Sequence, residues 1–272
     1  MTLVAVKHID QTVGFNWRQT LQRYAAPLVG IAVFLAIWWL AGLAFEGNPR
    51  ADSFRGFMIE RAAAAFGQLI TSGDAWRAAA PSLSRVLQGL AWAFVLGVPV
   101  GIATGRIAFF ERMTYLPFQI LRMVSPLAWM PIAVLTFSTW DGAIVFLITA
   151  AAIWPIIFAT AAGVKRIDPL WLAMARNLGG SQAAILTAVV IPAVAQDILT
   201  GLRLALGVAW IVLVPAEFLG VTSGLGYAIN DARDTLSYDR LAALVLLIGL
   251  IGYVIDALVS AAVRRSQWTP TA

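Results

Sequence analysis

Three polar side chains stand seven residues apart within an otherwise apolar stretch. Arg203, Trp210 and Glu217 share one face of a predicted helix, since successive residues turn by about 100°. Charged side chains inside apolar helices usually face a bundle interior or a water-filled cavity. We therefore predict that these three line the path of a polar solute or its gates, with Arg203 suited to an anion. The alternative is that both charges lie near helix ends and reach the lipid headgroups.

Other candidate path residues stand beside prolines in neighbouring apolar stretches. Ser125, Trp129 and Trp154 each lie next to or close to a proline, which interrupts the hydrogen bonds of a helix. We predict that they too line the path, although tryptophans in spans more often lie at the membrane interface or pack against other helices. Asp256 is a further charge within an apolar stretch, and a structural role is the simpler prediction for it.

The composition excludes several kinds of chemistry. The chain has no cysteine and one histidine, His8, so disulfides, zinc fingers, iron–sulfur clusters and histidine-built metal sites are not expected. Neither of its two lysines lies in a G-x-x-x-x-G-K-[ST] phosphate-binding loop. The arginines are spread along the chain, so the net charge of +5 does not indicate a nucleic-acid partner. We expect no catalytic residue, metal or cofactor in this chain.

The elements that position these side chains are predicted to be membrane-spanning helices. Apolar residues make up 60% and charged residues 12%, against roughly 45–50% and about 25% in soluble domains. The sequence therefore predicts an all-α polytopic membrane protein. Six stretches approach the roughly 20 apolar residues that a span needs: 24–45, 86–105, 123–140, 142–164, 201–220 and 241–263.

The distribution of positive charge predicts the orientation. With six spans, 12 lysines and arginines fall on the side of the N-terminus and 7 on the other, which places both termini in the cytoplasm. Residues 1–23 are then a cytoplasmic segment that precedes one transmembrane domain, 24–272. Residues 177–196 are also uncharged, and a seventh span there is the less favoured alternative.

An amphipathic helix is predicted on the outer surface, between the first two spans. Its apolar residues recur at helical spacing, and they are Ile59, Ala62, Ala63, Phe66, Leu69 and Ile70. Packing against the other helices and docking of a partner are both consistent with this pattern.

A short apolar helix is predicted in the cytoplasmic segment 165–192. Asp168 is a good N-cap and Pro169 suits the first helical position, while Gly179 and Gly180 end the helix. An apolar helix exposed to the cytosol needs a covering. A partner protein and the chain's own inner loops are the two alternatives.

This segment resembles the signature loop of the permeases of binding-protein-dependent ABC importers. The family pattern is Glu-Ala-Ala, three residues, Gly, nine residues, Ile, one residue, Leu-Pro. Here Gly179 and Pro192 match at the right spacing, and Val189 and Ile191 match in type. The chain departs from the pattern at the start, where Ala173 stands in place of the usual glutamate.

The resemblance extends to the nitrate, sulfonate, taurine and bicarbonate branch of the family. The runs that carry it are 125–132, 200–210, 215–217 and 224–227. It implies a bacterial inner-membrane permease, often a homodimer, with two cytoplasmic subunits that bind ATP and Mg²⁺ and an outer solute-binding protein. The short helix would be the coupling helix that docks into the ATPase, through Leu170, Trp171, Ala173, Met174, Ala175, Arg176 and Gly179.

The resemblance leaves alternatives for the function. It implies import of a small anion such as nitrate, nitrite, cyanate, bicarbonate, taurine or another sulfonate, while a thiamine precursor or another organic solute is the alternative cargo. A secondary transporter driven by an ion gradient is a rival, although no inverted repeat is seen. An intramembrane enzyme is a weaker rival, because no set of catalytic groups is present.

Overall fold

A computed structural model describes residues 17–46 and 54–266. Within these residues the protein is all α-helical and contains no β-strand. The helices, in chain order, are α1 (Trp17–Glu46), α2 (Ile59–Thr71), α3 (Asp74–Arg106), α4 (Ala108–Leu121), α5 (Met130–Thr136), α6 (Trp140–Lys165), α7 (Pro169–Asn177), α8 (Gln182–Ile185), α9 (Ile191–Glu217), α10 (Leu225–Asp234) and α11 (Tyr238–Ser266).

Five helical segments are long and apolar enough to cross a membrane, and a bent pair is the sixth candidate. The five are Ala25–Leu43, Asp74–Arg106, Trp140–Lys165, Gln182–Glu217 and Tyr238–Arg265. The bent pair joins α4 to the segment Pro126–Thr136 at an angle of 91°. The prediction of an all-α protein with about six spans is confirmed. Most of the predicted N-terminal segment 1–23 lies outside the described residues.

Glycines bring α3 and α6 into close parallel contact. Gly97 of α3 lies against Ile156 of α6, and eight residues further along both helices Gly105 lies against Val164. Because the two contacts advance together, the helices run in the same direction. A Cβ atom at Gly97 would stand only 3.0 Å from the Ile156 side chain, so the approach depends on the missing side chain.

Helix α9 completes the core by packing antiparallel to α6. Its small residues Gly201, Ala205, Ala209 and Ala216 are buried. We call the end of the bundle where α9 finishes the Glu217 end, and the end where α6 finishes the Lys165 end.

A second cluster joins α2, α10 and α11 beside the first turns of α3. Helix α2 confirms the predicted amphipathic helix, with Ala62, Ala65 and Leu69 buried and Ala63 exposed. Its apolar face packs mainly on α11, so packing, and not docking, explains that face. Helix α1 lies at the side of the bundle, where the indole nitrogen of Trp38 donates a hydrogen bond of 2.9 Å to the Phe57 carbonyl.

The predicted span 123–140 is wrong. The chain breaks after α4, and a 3₁₀ turn (Pro126–Trp129) leads into α5. Ser125 adopts an extended backbone with ψ of 130°, because the residue before a proline is driven out of the helical region. The candidate span therefore begins near Ala108 and is broken in its middle.

Two other predicted spans have wrong boundaries. Helix α3 begins at Asp74 and not near residue 86, so it includes Arg85. Segment 201–220 is part of a longer helix, 182–217, which continues through a π-helical turn at Leu186–Val190. This turn precedes Pro192, which cannot donate the next helical hydrogen bond. Segment 177–196 is therefore largely the first part of the same helix, which argues against a seventh span.

We predict that a single methyl group at Gly101 destabilises the bundle. A Cβ there would lie 2.7 Å from the Cβ of Thr160 and 2.8 Å from the Ile157 carbonyl oxygen. The variant Gly101→Ala should lose about 1–3 kcal/mol of stability, measured as a lower thermal unfolding midpoint in mild detergent. Gly67→Ala in α2 is the matched control, since nothing lies within 4 Å of its new Cβ. Equal midpoints for the two variants would contradict the packing.

Candidate functional site

A buried arginine joins three helices at the Glu217 end. The Nη1 atom of Arg85 lies 2.5 Å from Oε1 of Glu217, and its Nε donates to Oδ1 of Asp141 at 2.7 Å. The same guanidinium donates to the carbonyl and hydroxyl oxygens of Ser223, at 2.9 and 3.1 Å. The side chains of Arg85 and Glu217 are 5% and 0% exposed, so the pair is inside the protein.

The carboxylate of Glu217 is also bonded to the loop that follows α9. The hydroxyl of Ser82 lies 2.8 Å from Oε1, and the backbone N–H of Gly226 donates to Oε2 at 2.8 Å. The Ser82 hydroxyl in turn accepts from the Leu225 N–H at 2.8 Å. Gly224, with φ of +121°, lies so close that a Cβ would stand 2.5 Å from the carboxylate oxygens. The loop therefore closes over the charge pair.

These contacts change the interpretation of Glu217. It lies on the helix face opposite the buried small residues, but α3 and the loop cover it. With no exposed surface, its carboxylate does not reach a solute in this conformation. Arg85, Ser82 and Asp141 were not among the predicted site residues. The sequence contains a pattern that predicts Ser82 and Arg85 as facing the bundle: they share one helix face with Gly89 once α3 is extended back to Asp74.

Three of the predicted path residues lie at or beside the break between α4 and α5. Trp129 and Trp154 line a cavity of 320 Å³, and Ser125 stands between two other residues that line it. The indole of Trp154 contacts Phe118 edge to face, with ring centres 5.5 Å apart. We call this the helix-break cavity. Its lining residues are Val100, Phe118, Leu121, Val124, Pro126, Trp129, Phe146, Ala150, Ile153, Trp154 and Ile157.

The remaining predicted path residues lie between α9 and α11. Arg203 forms two hydrogen bonds of 3.1 Å to the carboxylate of Asp256, and both side chains are about half exposed. The sequence could not name this partner. Trp210 lies directly against Gly252, whose missing side chain makes room for the indole. Arg203 therefore has a charge partner within the membrane-spanning segments, as buried or partly buried charges require.

The short helix α7 confirms the helix predicted at 168–179. The carboxylate of Asp168 accepts a hydrogen bond of 2.9 Å from the Leu170 N–H, and Gly179 adopts φ of +80° after the last turn. Most of the predicted coupling residues point outward, and the exposed ones are Leu170, Trp171, Ala173, Met174, Arg176 and Gly179. Ala175 is half-buried and packs with Leu172 on the protein.

Polar bridges lie on either side of α7 at the Lys165 end. Lys165 pairs with Glu111 of α4 at 2.5 Å, and Arg166 pairs with Asp197 of α9. Arg106, the last residue of α3, donates to the Gln182 side chain at 2.6 Å. These bridges fix the segments that flank α7, and α7 itself packs on α8 and the π-helical turn. In the described part of the chain, no cluster of histidine, cysteine and carboxylate residues is suited to a metal ion.

Comparison with known proteins assigns this arrangement to a family. Residues 97–267 match the family described as the binding-protein-dependent transport system inner membrane component. The chain belongs to this family. The match covers the helix break, α7 and all of α9, while Ser82 and Arg85 of the buried ion-pair site precede it.

Relatives of the permease are named for the transport of bicarbonate, taurine and nitrate. This chain is 35% identical over 254 residues to the bicarbonate transport system permease of Synechococcus elongatus, and the alignment covers 90% of both chains. It is 32% identical over 252 residues to the taurine transport system permease of Escherichia coli, covering 92% of both. The nitrate import permease of Leptolyngbya laminosa is 38% identical over 185 residues, or 68% of this chain and 66% of the relative.

We predict that Arg85 stabilises the permease strongly. The variant Arg85→Met leaves the buried Glu217 carboxylate without its cation, which should cost about 3–5 kcal/mol. Adding Glu217→Gln removes that charge but keeps an oxygen for Gly226, so the double variant should unfold at a higher temperature than Arg85→Met alone.

The control for this prediction is another arginine of α3. Arg77 pairs with Asp74 on the surface, where its side chain is 77% exposed, so Arg77→Met should cost less than about 1 kcal/mol. If thermal unfolding showed no difference between Arg85→Met and Arg77→Met, the buried pair would not hold the helices together.

Proposed function

We propose that the permease is the transmembrane subunit of an ATP-driven importer, in which an outer binding protein delivers a small anion. Two cytoplasmic subunits would hydrolyse ATP, and a second permease copy would complete the path. The observation that carries this proposal is α7, a capped apolar helix exposed at the Lys165 end, within the residues that match the family. The anion is supported by the relatives named for bicarbonate, taurine and nitrate transport.

The proposed orientation places the Lys165 end in the cytoplasm. Positively charged residues are enriched next to the cytoplasmic ends of spans. Those near this end are Arg106, Arg112, Lys165, Arg166, Arg176, Arg264 and Arg265. The Glu217 end, with α2 and α10, would then face the binding protein.

Helix α7 would act as the coupling helix through apolar contact. Because Ala173 replaces the glutamate of the family pattern, no carboxylate is available there for an ion pair with the ATPase. Leu170, Trp171 and Met174 are all more than half exposed, and an exposed apolar cluster of this kind indicates a protein partner. Arg176 is the charged residue of α7 that could add an electrostatic contact.

We predict that Trp171→Ala separates the ATPase from the permease. Truncating a large buried aromatic residue at an interface typically costs about 2 kcal/mol or more, so co-purification of an ATPase with the tagged chain in gentle detergent should fall severalfold. Trp76→Ala is the matched control, because Trp76 is similarly exposed but lies in the first turn of α3 at the Glu217 end. Purification of the wild-type chain without any ATPase would contradict the proposal.

We predict that the two ends label from opposite sides of the membrane. The chain contains no cysteine, so single cysteines can be placed at the exposed positions Leu178, after α7, and Thr71, at the end of α2. A membrane-impermeant maleimide should label Leu178→Cys in inside-out vesicles washed free of peripheral subunits, and Thr71→Cys in right-side-out vesicles. The reverse labelling pattern would show that the Lys165 end faces away from the cytoplasm and would contradict the proposed orientation.

A further inference from the structure

Arg122 stands at the break between α4 and α5. It is the first residue after α4, and its backbone N–H still donates to the Phe118 carbonyl at 3.1 Å. Glu111, near the start of the same helix, marks the Lys165 end through its pair with Lys165. The eleven residues from Glu111 to Arg122 rise about 16 Å along a helix. Arg122 therefore starts within a hydrocarbon core of about 30 Å, and its guanidinium lies beside Phe158, about 10 Å before Lys165 along α6.

The charge of Arg122 has no acidic partner among the residues that the structure describes. Arg203, the other arginine at comparable depth, is paired with Asp256. Arg122 instead lies over the ring of Phe158, with its guanidinium carbon 5.3 Å from the ring centre, and its side chain is exposed. An exposed, unpaired charge at this depth is costly in lipid, so such residues usually face an aqueous path.

The surroundings of Arg122 favour an anion. The Phe158 ring attracts the charge of the guanidinium but accepts no conventional hydrogen bond, so the N–H groups remain available to donate. Two parallel N–H groups match two oxygens of one oxyanion. The neighbouring helix-break cavity is lined by apolar and aromatic residues and by no carboxylate, so no built-in anion competes there. Broken helices are also where transporters commonly bind their solutes.

We propose that Arg122 binds the transported solute as it passes the helix break, and that this solute is a monovalent oxyanion. The proposal rests on the importer function above and deepens it, because it names a residue that selects the charge of the solute. Phe158 is a positioning residue, which holds the guanidinium at this depth. The predicted span 123–140 would begin one residue after Arg122, whereas in the structure Arg122 lies inside the bent segment of α4 and α5.

The test measures uptake by the whole transporter, reconstituted with its ATPase subunits and binding protein. The probes are labelled nitrate and bicarbonate, which are monovalent oxyanions, and labelled taurine, which is a zwitterion with a sulfonate group, each supplied separately. We compare Arg122→Gln and Arg122→Lys with Arg112→Gln, which removes an exposed arginine from the first turns of the same helix. ATP hydrolysis without solute and elution as a single assembled complex show that each variant is folded.

We expect Arg122→Gln to slow uptake of the transported probe about tenfold or more, since a charge-assisted hydrogen bond is lost. Arg122→Lys keeps the charge but loses the fork of N–H groups, so its uptake should be intermediate. Arg112→Gln should match the wild type. ATP hydrolysis without solute should be unchanged in all three.

Each other outcome overturns the proposal in a different way. If the wild type moves a probe and assembled Arg122→Gln moves it equally fast, Arg122 reaches lipid headgroups and does not bind the solute, while the importer function stands. If Arg122→Gln does not assemble, uptake by Arg122→Lys decides. Transport by Arg122→Lys at the wild-type rate would show that the two parallel N–H groups of the guanidinium are not needed and that bidentate binding is wrong. If the wild type moves neither nitrate nor bicarbonate, the proposed import of a monovalent oxyanion fails, and the role of Arg122 fails with it.

Discussion

The buried ion pair between Arg85 and Glu217 is the constraint on which the rest of the structure depends. Neither charge can be left alone in the interior without a large loss of stability, so α3, α9 and the loop after α9 must stay together. Asp141 brings in the start of α6 as well. With the close glycine contacts along α3 and α6, the pair makes the three long helices a rigid unit.

The rest of the permease can be understood as parts attached to this unit. Helix α7 follows α6 and packs on α8 and the π-helical turn that leads into α9. The segment of α4 and α5 is broken at residues 122–125, beside the helix-break cavity. The proposed coupling helix therefore lies at the Lys165 end, and the break lies within the candidate span that begins with α4.

Much of the fold could be predicted from sequence, because apolar length and composition determine which segments can span a bilayer. Helix α7 was predicted with its caps, since Asp168, Pro169 and Gly179 act locally. The break before Pro126 was missed, because the run 123–140 carries no charge and therefore has the composition of a continuous span. The ion pairs were also missed: no local pattern shows that Arg85 meets Glu217, more than a hundred residues away, or that Arg203 meets Asp256.

The energy source of transport tests the account most directly. The purified permease, its ATPase subunits and its binding protein would be placed in vesicles whose lumen holds ATP or no nucleotide, with and without ion gradients. The account predicts accumulation of labelled solute only when ATP is present on the side of the Lys165 end, whatever the gradients. Accumulation that follows a proton or sodium gradient without ATP would contradict it and favour a secondary transporter.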